Sequence, residues 1–502
     1  MHPERPMLPR AGSWDWRKPP RTVAAVAAAA AIAVLAGCAG PAPTPPDDLG
    51  SALGLSPDAA PDMAIAGEAD GLTPIPAEVD PEWWRVFGDG QLDALVAAAF
   101  AGNRDLAKTA VDVRRALLQA NKFGADLQPS FQAGLDGSLR RNLKGGGHTA
   151  QSYGADTGVN YEIDLWRRLR DLRSAREWEY RATLEDEASL RLALAHSVVD
   201  CYYQMAYLRD AIDSTLESMA LYERIEAKTR EKSRLGKVAP IEPVQAHQSY
   251  LSEKTRLIDF QARSKTVEQT LRDLLNLRPA DLLDCQPPTL ADFTPPSPSL
   301  DVPVSVLACR PDLRALEHRL RRAFTDYGAT RKSLYPTITL GGALGSSSDR
   351  ADRIFEMPYT GGNLSISFPF LRWSRIRWDI RLSEAEYERA RLDFEQGVVA
   401  ALNEVDASVF AVGKSLEALA ASEEKYANDL QVGEHYQNRY DQGANELSDW
   451  LGALNAIGNS RLAIASGRYQ AVLDQCRLHK ALGGRMIGFA EIEPAGERSS
   501  PE

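Results

Sequence analysis

With 502 residues the chain is too long for one ordinary domain and long enough to bury a sizeable core. Its 69 Asp and Glu against 58 Lys and Arg leave a net charge of −11 at pH 7, a poor balance for coating nucleic acid. A mean hydropathy of −0.32 with a single strongly apolar stretch excludes a polytopic helical membrane protein. Five cysteines with no CxxC pair exclude a disulfide-dense scaffold.

The apolar stretch is an address. Arg17, Lys18 and Arg21 precede the run Thr22 to Leu35, and small residues follow, which is the order of a secretory signal. The run ends Leu35-Ala36-Gly37-Cys38, which resembles the bacterial lipobox. That resemblance implies a lipoprotein signal peptide over 1–37 and a diacylglycerol plus an N-acyl chain, such as palmitate, on Cys38. With Ala39 rather than Asp in the next position, it implies delivery to the outer membrane. An acylated end anchors a protein without spanning the bilayer. Residues 38–81, rich in Pro and Ala, read as a tether, and 487–502 as a flexible tail.

Between these ends the chain repeats itself. Asp105-Leu106 matches Asp312-Leu313, and Arg114-Arg115-Ala116 matches Arg321-Arg322-Ala323. Leu127, Pro129 and Gly134 match Leu334, Pro336 and Gly341; Trp166, Tyr180, Gly236 and Ala246 match Trp373, Tyr387, Gly443 and Ala453. Every pair shows the same offset, 312 − 105 = 207 in sequence number. One register held from end to end is a tandem duplication. The repeats take 82–286 and 304–486, joined by the Pro-rich piece 287–303.

Each repeat reads as helix, strand pair, long helix, turn, returning helix. Leu92 to Lys122 is helical by spacing. Periodicity then switches to two, with Phe131, Ala133, Leu135 and Leu139 against Gln132, Gly134, Asp136 and Ser138. The next strand sets Tyr153, Ala155, Val159, Tyr161 and Ile163 against small and polar residues. The second repeat does the same with Ile338, Leu340 and Leu344, then Leu364, Ile366, Phe368 and Phe370. Strands with lipid on one side and water on the other alternate in this way, as does a soluble sheet with one wet face. Four strands cannot close in lipid, so membrane strands would require several chains to share one barrel. Arg167 to Arg234 holds no Pro or Gly, and its 68 residues would extend roughly 100 Å as a helix needing coiled-coil partners. Ser374 to Asp441 repeats it; Val244 to Leu275 and Leu447 to Leu482 return.

These residues resemble the TolC-like outer-membrane efflux ducts, in their lipoprotein (OprM/NodT-like) branch. The likeness lies in Trp83-Trp84, Phe87-Gly88-Asp89, Asn103 with Asp105-Leu106, and Tyr161 to Trp166. Arg310-Pro311-Asp312-Leu313-Arg314, Tyr335-Pro336-Thr337-Ile338 and Ala481-Leu482-Gly483-Gly484 extend it to about Met486. Three positions depart: Arg167 stands where the family has Gly, Gly90 where it has Pro, and Arg485-Met486 where it has Gly-Trp. The resemblance implies an α+β membrane protein that assembles as a homotrimer. Each chain would give four transmembrane strands to one twelve-stranded β-barrel and its long helices to a periplasmic coiled-coil tunnel. Residues 287–303 would form an equatorial linker. The implied partners are a periplasmic adaptor, an inner-membrane pump and outer-membrane lipid.

Candidate site residues follow from that likeness. Tyr440 to Gly443 and Leu447 to Leu451 resemble the family's narrowing turn, which places Asp449 at the periplasmic gate. Three copies would form a carboxylate ring, which binds cations and resists anions. The alternative is a solvated acid at a helix start. A second family Asp is Gly452 here. Gly236 and Gly443 mark the tips expected to contact the adaptor, and are also plain helix-reversal glycines. Cys285 and Cys309 flank the join, and an oxidising periplasm is compatible with a bridge between them. No catalytic centre, metal site or cofactor is expected: the seven histidines form no ligand-spaced pair, and no HExxH or P-loop occurs. The function expected is an exit duct for drugs or other small toxic compounds. The alternatives are a type I protein-secretion duct and a non-conducting structural envelope lipoprotein.

Overall fold

The computed structural model describes residues 82–141, 149–290, 304–356 and 358–484. Cys38, the tether, most of the 287–303 join and the tail lie outside the described residues. The first repeat holds α1 (Gly90–Gly102), α2 (Arg104–Ala125), β1 (Ser130–Arg141), β2 (Thr149–Ile163), α3 (Arg168–Arg234) and α4 (Glu242–Leu274). The second holds α5 (Pro311–Lys332), β3 (Thr337–Ser348), β4 (Pro358–Ser367), α6 (Trp373–Asp441) and α7 (Leu447–Ala481).

Strand register gives the duplication a geometric form. Ser130 pairs with Asn160 in the first hairpin and Thr337 with Ser367 in the second, each member shifted by the one repeat offset. Helix ends repeat as well. Asn276 (φ +56) closes the end of α4, and its repeat counterpart Gly483 (φ +71) closes the end of α7. The four strands form one antiparallel sheet in sequence order, leaving β1 and β4 as open edges. On one face Phe131, Leu135 and Leu139 are 82%, 79% and 71% exposed, with no layer against them. The other face carries Gln132, Asp136, Asp156 and Asn363. No helix among the described residues is long and apolar enough to cross a membrane.

The helices pack in the order α2, α3, α5, α6 beside the strands, and α3 and α6 pair with their returning helices α4 and α7 further on. Ion pairs stitch α3 to α5 across the repeats: Asp171–Lys332, Glu179–Arg322 (3.0 Å), Glu185–Arg314 (2.8 Å) and Asp186–Arg319. The main core gathers Trp83, Leu92, Val96, Tyr202, Tyr203 and Leu271. Burial of each such side chain contributes roughly 1.5–3 kcal/mol. Trp83 is 1% exposed and stacks on His479 at 5.6 Å. Gly88 (φ +64) turns the chain, and Asp89 then caps α1, accepting from Gln91 N (2.9 Å) and from the Tyr202 hydroxyl (2.6 Å).

Three sequence expectations need correction. The helix expected over Leu92 to Lys122 is two, broken at Asn103, whose extended backbone lets its side chain cap α2 by accepting from Asp105 N and Leu106 N (3.0 Å each). Phe368 and Phe370 are not in β4: the strand ends at Ser367, and Pro369, which has no N–H to give a ladder, opens a short 3₁₀ turn. Cys285 and Cys309 are free thiols, so the bridge across the join is not formed. Burial pushes the Cys285 thiol up to about 11 and that of Cys201 to about 12, which suppresses the reactive thiolate.

Candidate functional site

Both hairpin tips close with one cap. After α3, Gly236 (φ +68) donates to Ser233 O (2.9 Å) and Lys237 N donates to Lys232 O (2.9 Å). After α6, Gly443 (φ +74) donates to Tyr440 O (3.0 Å) and Ala444 N to Arg439 O (2.8 Å). This is the Schellman pairing, in which a left-handed residue satisfies the last carbonyls of the helix. A Cβ on either glycine would meet nothing within 4 Å, so backbone conformation rather than crowding selects glycine.

The tips differ in what they carry. Asp449 stands exposed in the first turn of α7, where a carboxylate suits the helix N-terminus. It accepts from Asn445 Nδ2 (2.9 Å), and Asn445 Oδ1 accepts from Arg439 Nε (2.6 Å). Both readings of Asp449 meet here, since an exposed helix-start acid is also free to face a lumen. Gly452, one turn on, is exposed and has no neighbour where a side chain would stand.

Sequence reasoning did not find the group that ties the two tips together. The Tyr440 hydroxyl donates to Glu242 Oε2 (2.8 Å), joining the end of α6 to the start of α4. Its ring stacks on Trp450 (5.4 Å), with Lys232 Nζ 5.0 Å from its centroid. Burial, then the Glu242 bond, pushes the Tyr440 hydroxyl far above its ordinary value, so it stays a donor. Tyr222, Ile225, Ala246, Leu447 and Leu451 pack behind it. Tyr222 donates to Asn455 Oδ1 (3.1 Å), and buried Glu226 receives Arg230 and His247 Nδ1 (3.0 Å). Glu253, also buried, has its carboxyl raised by desolvation against the opposing pull of Arg256. Tyr440 lies in the motif read from sequence, but Glu242 is 198 residues away, and no local spacing announces the pair. No group of three or more His, Cys, Asp or Glu able to hold a metal occurs among the described residues.

A sequence model of the family described as outer membrane efflux protein matches residues 95–277 and again 302–484, once per repeat. The toxin and drug export protein A of Aggregatibacter actinomycetemcomitans is 39% identical over 403 residues, covering 80% of this chain and 88% of its own. The pyoverdine export outer membrane protein OpmQ of Pseudomonas putida is 27% identical, covering 88% of this chain and 94% of its own. Among solved structures, the Campylobacter jejuni CmeC outer membrane channel superposes with a TM-score of 0.76 at 21% identity, over 82% of this chain and 89% of its own.

Proposed function

The chain belongs to the outer membrane efflux protein family, and from that premise we propose that three copies form the outer-membrane exit duct of a tripartite efflux system. The observation that carries this reading is the open sheet. It has an uncovered apolar face, a polar face and two unpaired edges, and in lipid unpaired edges cost several kcal/mol per amide. Three copies give twelve strands and remove every edge. The long helices continue as a tunnel, and the tips at Gly236 and Gly443 meet a periplasmic adaptor that links the duct to an inner-membrane pump. Cys38 carries the acyl anchor. The cargo is drugs or other small toxic compounds. Protein secretion is the second reading, favoured by a relative whose name joins toxin to drug export.

At the inner end, Asp449 supplies a carboxylate ring, and the Tyr440–Glu242 bond holds the two hairpins of each copy together. Opening separates α6 from α4 and breaks that bond. Single-channel conductance of the purified oligomer in a planar bilayer tests the whole reading. The expected result is a small, cation-preferring conductance. Tyr440→Phe should raise it several-fold, and Asp449→Ala should weaken the cation preference. A conductance indifferent to both substitutions would leave a duct whose gate lies elsewhere. No conductance in any version would move the chain to the structural-lipoprotein class.

A further inference from the structure

We propose that the start of α6 and the turn before it bind the headgroup of an anionic phospholipid, with Arg377 and Arg381 holding the phosphate and Phe368, Leu371 and Trp373 lying against the acyl chains. The site rests on the reading of the strands as membrane-spanning and names the class of lipid they meet.

Between Phe368 and Arg381 the chain holds four arginines against one acid, Asp379. In the first repeat the same junction is neutral. Arg168 meets Glu162 (2.8 Å), Arg170 reaches Asp164 (4.0 Å), and Asp171 pairs with Lys332. At the repeat offset both arginines are kept, as Arg375 and Arg377, while Glu162, Asp164 and Asp171 become Pro369, Leu371 and Trp378. Arg372 and Arg381 are added where the first repeat has Leu165 and Ser174. No acid stands in the first turn of α6. Arg375 keeps a distant contact with Asp379 (4.0 Å). Arg372, Arg377 and Arg381 are exposed and make no ion pair among the described residues. Duplication thus kept the cations and replaced their carboxylates with apolar groups.

Those apolar groups are uncovered too: Leu371 is 74% exposed, Trp373 58% and Phe368 45%. They continue the apolar face of the sheet, since Ile163 pairs with Ile338 and Ile338 with Ile366, two residues before Phe368. The arginines take the same flank. Arg168 donates to Glu162, which alternates along β2 with Asn160 and Asp156 on the polar face. Two residues further along a helix turn a side chain by about 200°, which puts Arg170, and at the repeat offset Arg377, on the apolar flank. The Arg377 guanidinium lies over the rings of Trp373 (5.1 Å) and Trp378 (5.3 Å), and that of Arg381 over Trp378 (5.2 Å). Aromatic rings gather where the hydrocarbon of a bilayer meets its headgroups. A guanidinium stacked on a ring keeps its N–H edge free, and that edge takes phosphate oxygens in pairs. A zwitterionic headgroup brings a cation of its own, which unpaired guanidinium groups repel. The occupant that fits both the apolar flank and the surplus of positive charge is an anionic phospholipid.

The test is native mass spectrometry of the full-length oligomer, released from detergent after incubation with equal amounts of phosphatidylglycerol and phosphatidylcholine of the same acyl chains. The wild type should retain phosphatidylglycerol at least several-fold over phosphatidylcholine. Arg377→Gln with Arg381→Gln should bring that ratio close to one. Arg389→Gln with Arg391→Gln removes the same charge from α6, at arginines already paired with Asp393 and Glu395, and should leave the ratio unchanged. A ratio that falls equally in both variants would reduce the effect to bulk charge, and a ratio kept in Arg377→Gln with Arg381→Gln would place the lipid elsewhere; either overturns the site. Loss of the oligomer in that variant alone, by light scattering in detergent without added lipid, would mean that a neighbouring copy covers the flank, and overturns it as well. A wild-type oligomer that conducts but shows no headgroup preference overturns the lipid site and leaves the duct; a wild-type chain that neither assembles nor conducts overturns the membrane reading beneath it.

Discussion

The two repeats meet the same geometric demand with different chemistry where each turns a corner. Asn103 Nδ2 donates to Leu274 O at 3.1 Å; at the equivalent corner of the second repeat, Arg310 donates to Ala481 O at 2.7 Å. Asn103 is neutral, and its oxygen caps α2 as well. Arg310 has no acceptor, so Pro311 opens α5 instead, and the remaining guanidinium donors reach Asp312 (2.8 Å) and Glu404 on α6 (2.6 Å). What survived duplication is the carbonyl that must be satisfied, not the side chain that satisfies it. The second repeat gained a buried charge and with it a dependence on its partners.

That contrast predicts the largest effect. Arg310→Ala strips a buried hub, leaving the Ala481 carbonyl without its donor and the half-exposed Glu404 and Asp312 without their cation, which should cost about 3 kcal/mol. Asn103→Ala should cost about 1 kcal/mol, the usual value of a cap. Thermal unfolding of the purified oligomer reads both, and equal losses would break the comparison. Burial pushes the Asp312 carboxyl up, but the Arg310 bond and charge overcome it and leave it below its ordinary value. A depressed carboxylate contributes stability above its unfolded pKa and loses it as pH falls through the folded one. The Arg310→Ala penalty should therefore shrink below about pH 4; a penalty unchanged at low pH would mean that packing, not charge, is what Arg310 supplies.

The next contrast lies at the ends of α4 and α7. Gly483 has a left-handed backbone, and a Cβ there would stand 3.1 Å from Arg310 Cα. Gly483→Ala should cost about 2 kcal/mol, combining backbone strain with crowding. At its counterpart Asn276 the same left-handed backbone already carries a side chain, so Asn276→Gly should gain only a few tenths of a kcal/mol. Melting temperatures that shifted equally in size at the two sites would show that the corners are interchangeable after all.

Much of this architecture is legible in the sequence because it depends on periodicity and offset. The two-residue alternation around Leu135 and Leu364 marks strands, and one constant offset carries the register of the first hairpin onto the second. What depends on single backbone groups is hidden. Gly102-Asn103 is a helix-breaking pair hidden inside one continuous helical spacing; a Cβ on Gly102 would stand 2.7 Å from Leu275 O, and the chain breaks there. At the candidate site the caps at Gly236 and Gly443 can be read in advance, since left-handed helix ends favour glycine. Tyr440–Glu242 cannot, because the fold alone brings those two residues together.

Arg167 provides the sharpest test of the backbone argument. It holds φ +61, a conformation that costs a side-chain-bearing residue of order 1 kcal/mol. The turn is kept by its neighbours: Asp164 accepts from Leu169 N (3.1 Å) and Arg170 N (3.0 Å), and Trp166 Nε1 donates to Pro336 O (2.9 Å). In the second repeat the counterpart, Ser374, already lies inside α6, so no strained residue is needed there. Arg167→Gly should thus stabilise the chain by about 1 kcal/mol without altering conductance, whereas Ser374→Gly, in the first turn of α6, should destabilise it by a few tenths of a kcal/mol, as glycine does in place of serine in a helix. Opposite shifts in melting temperature at two positions related by duplication would show that the repeats hold equivalent positions in different backbone conformations; shifts of one sign would mean that the Arg167 side chain contributes a contact large enough to cancel its strain.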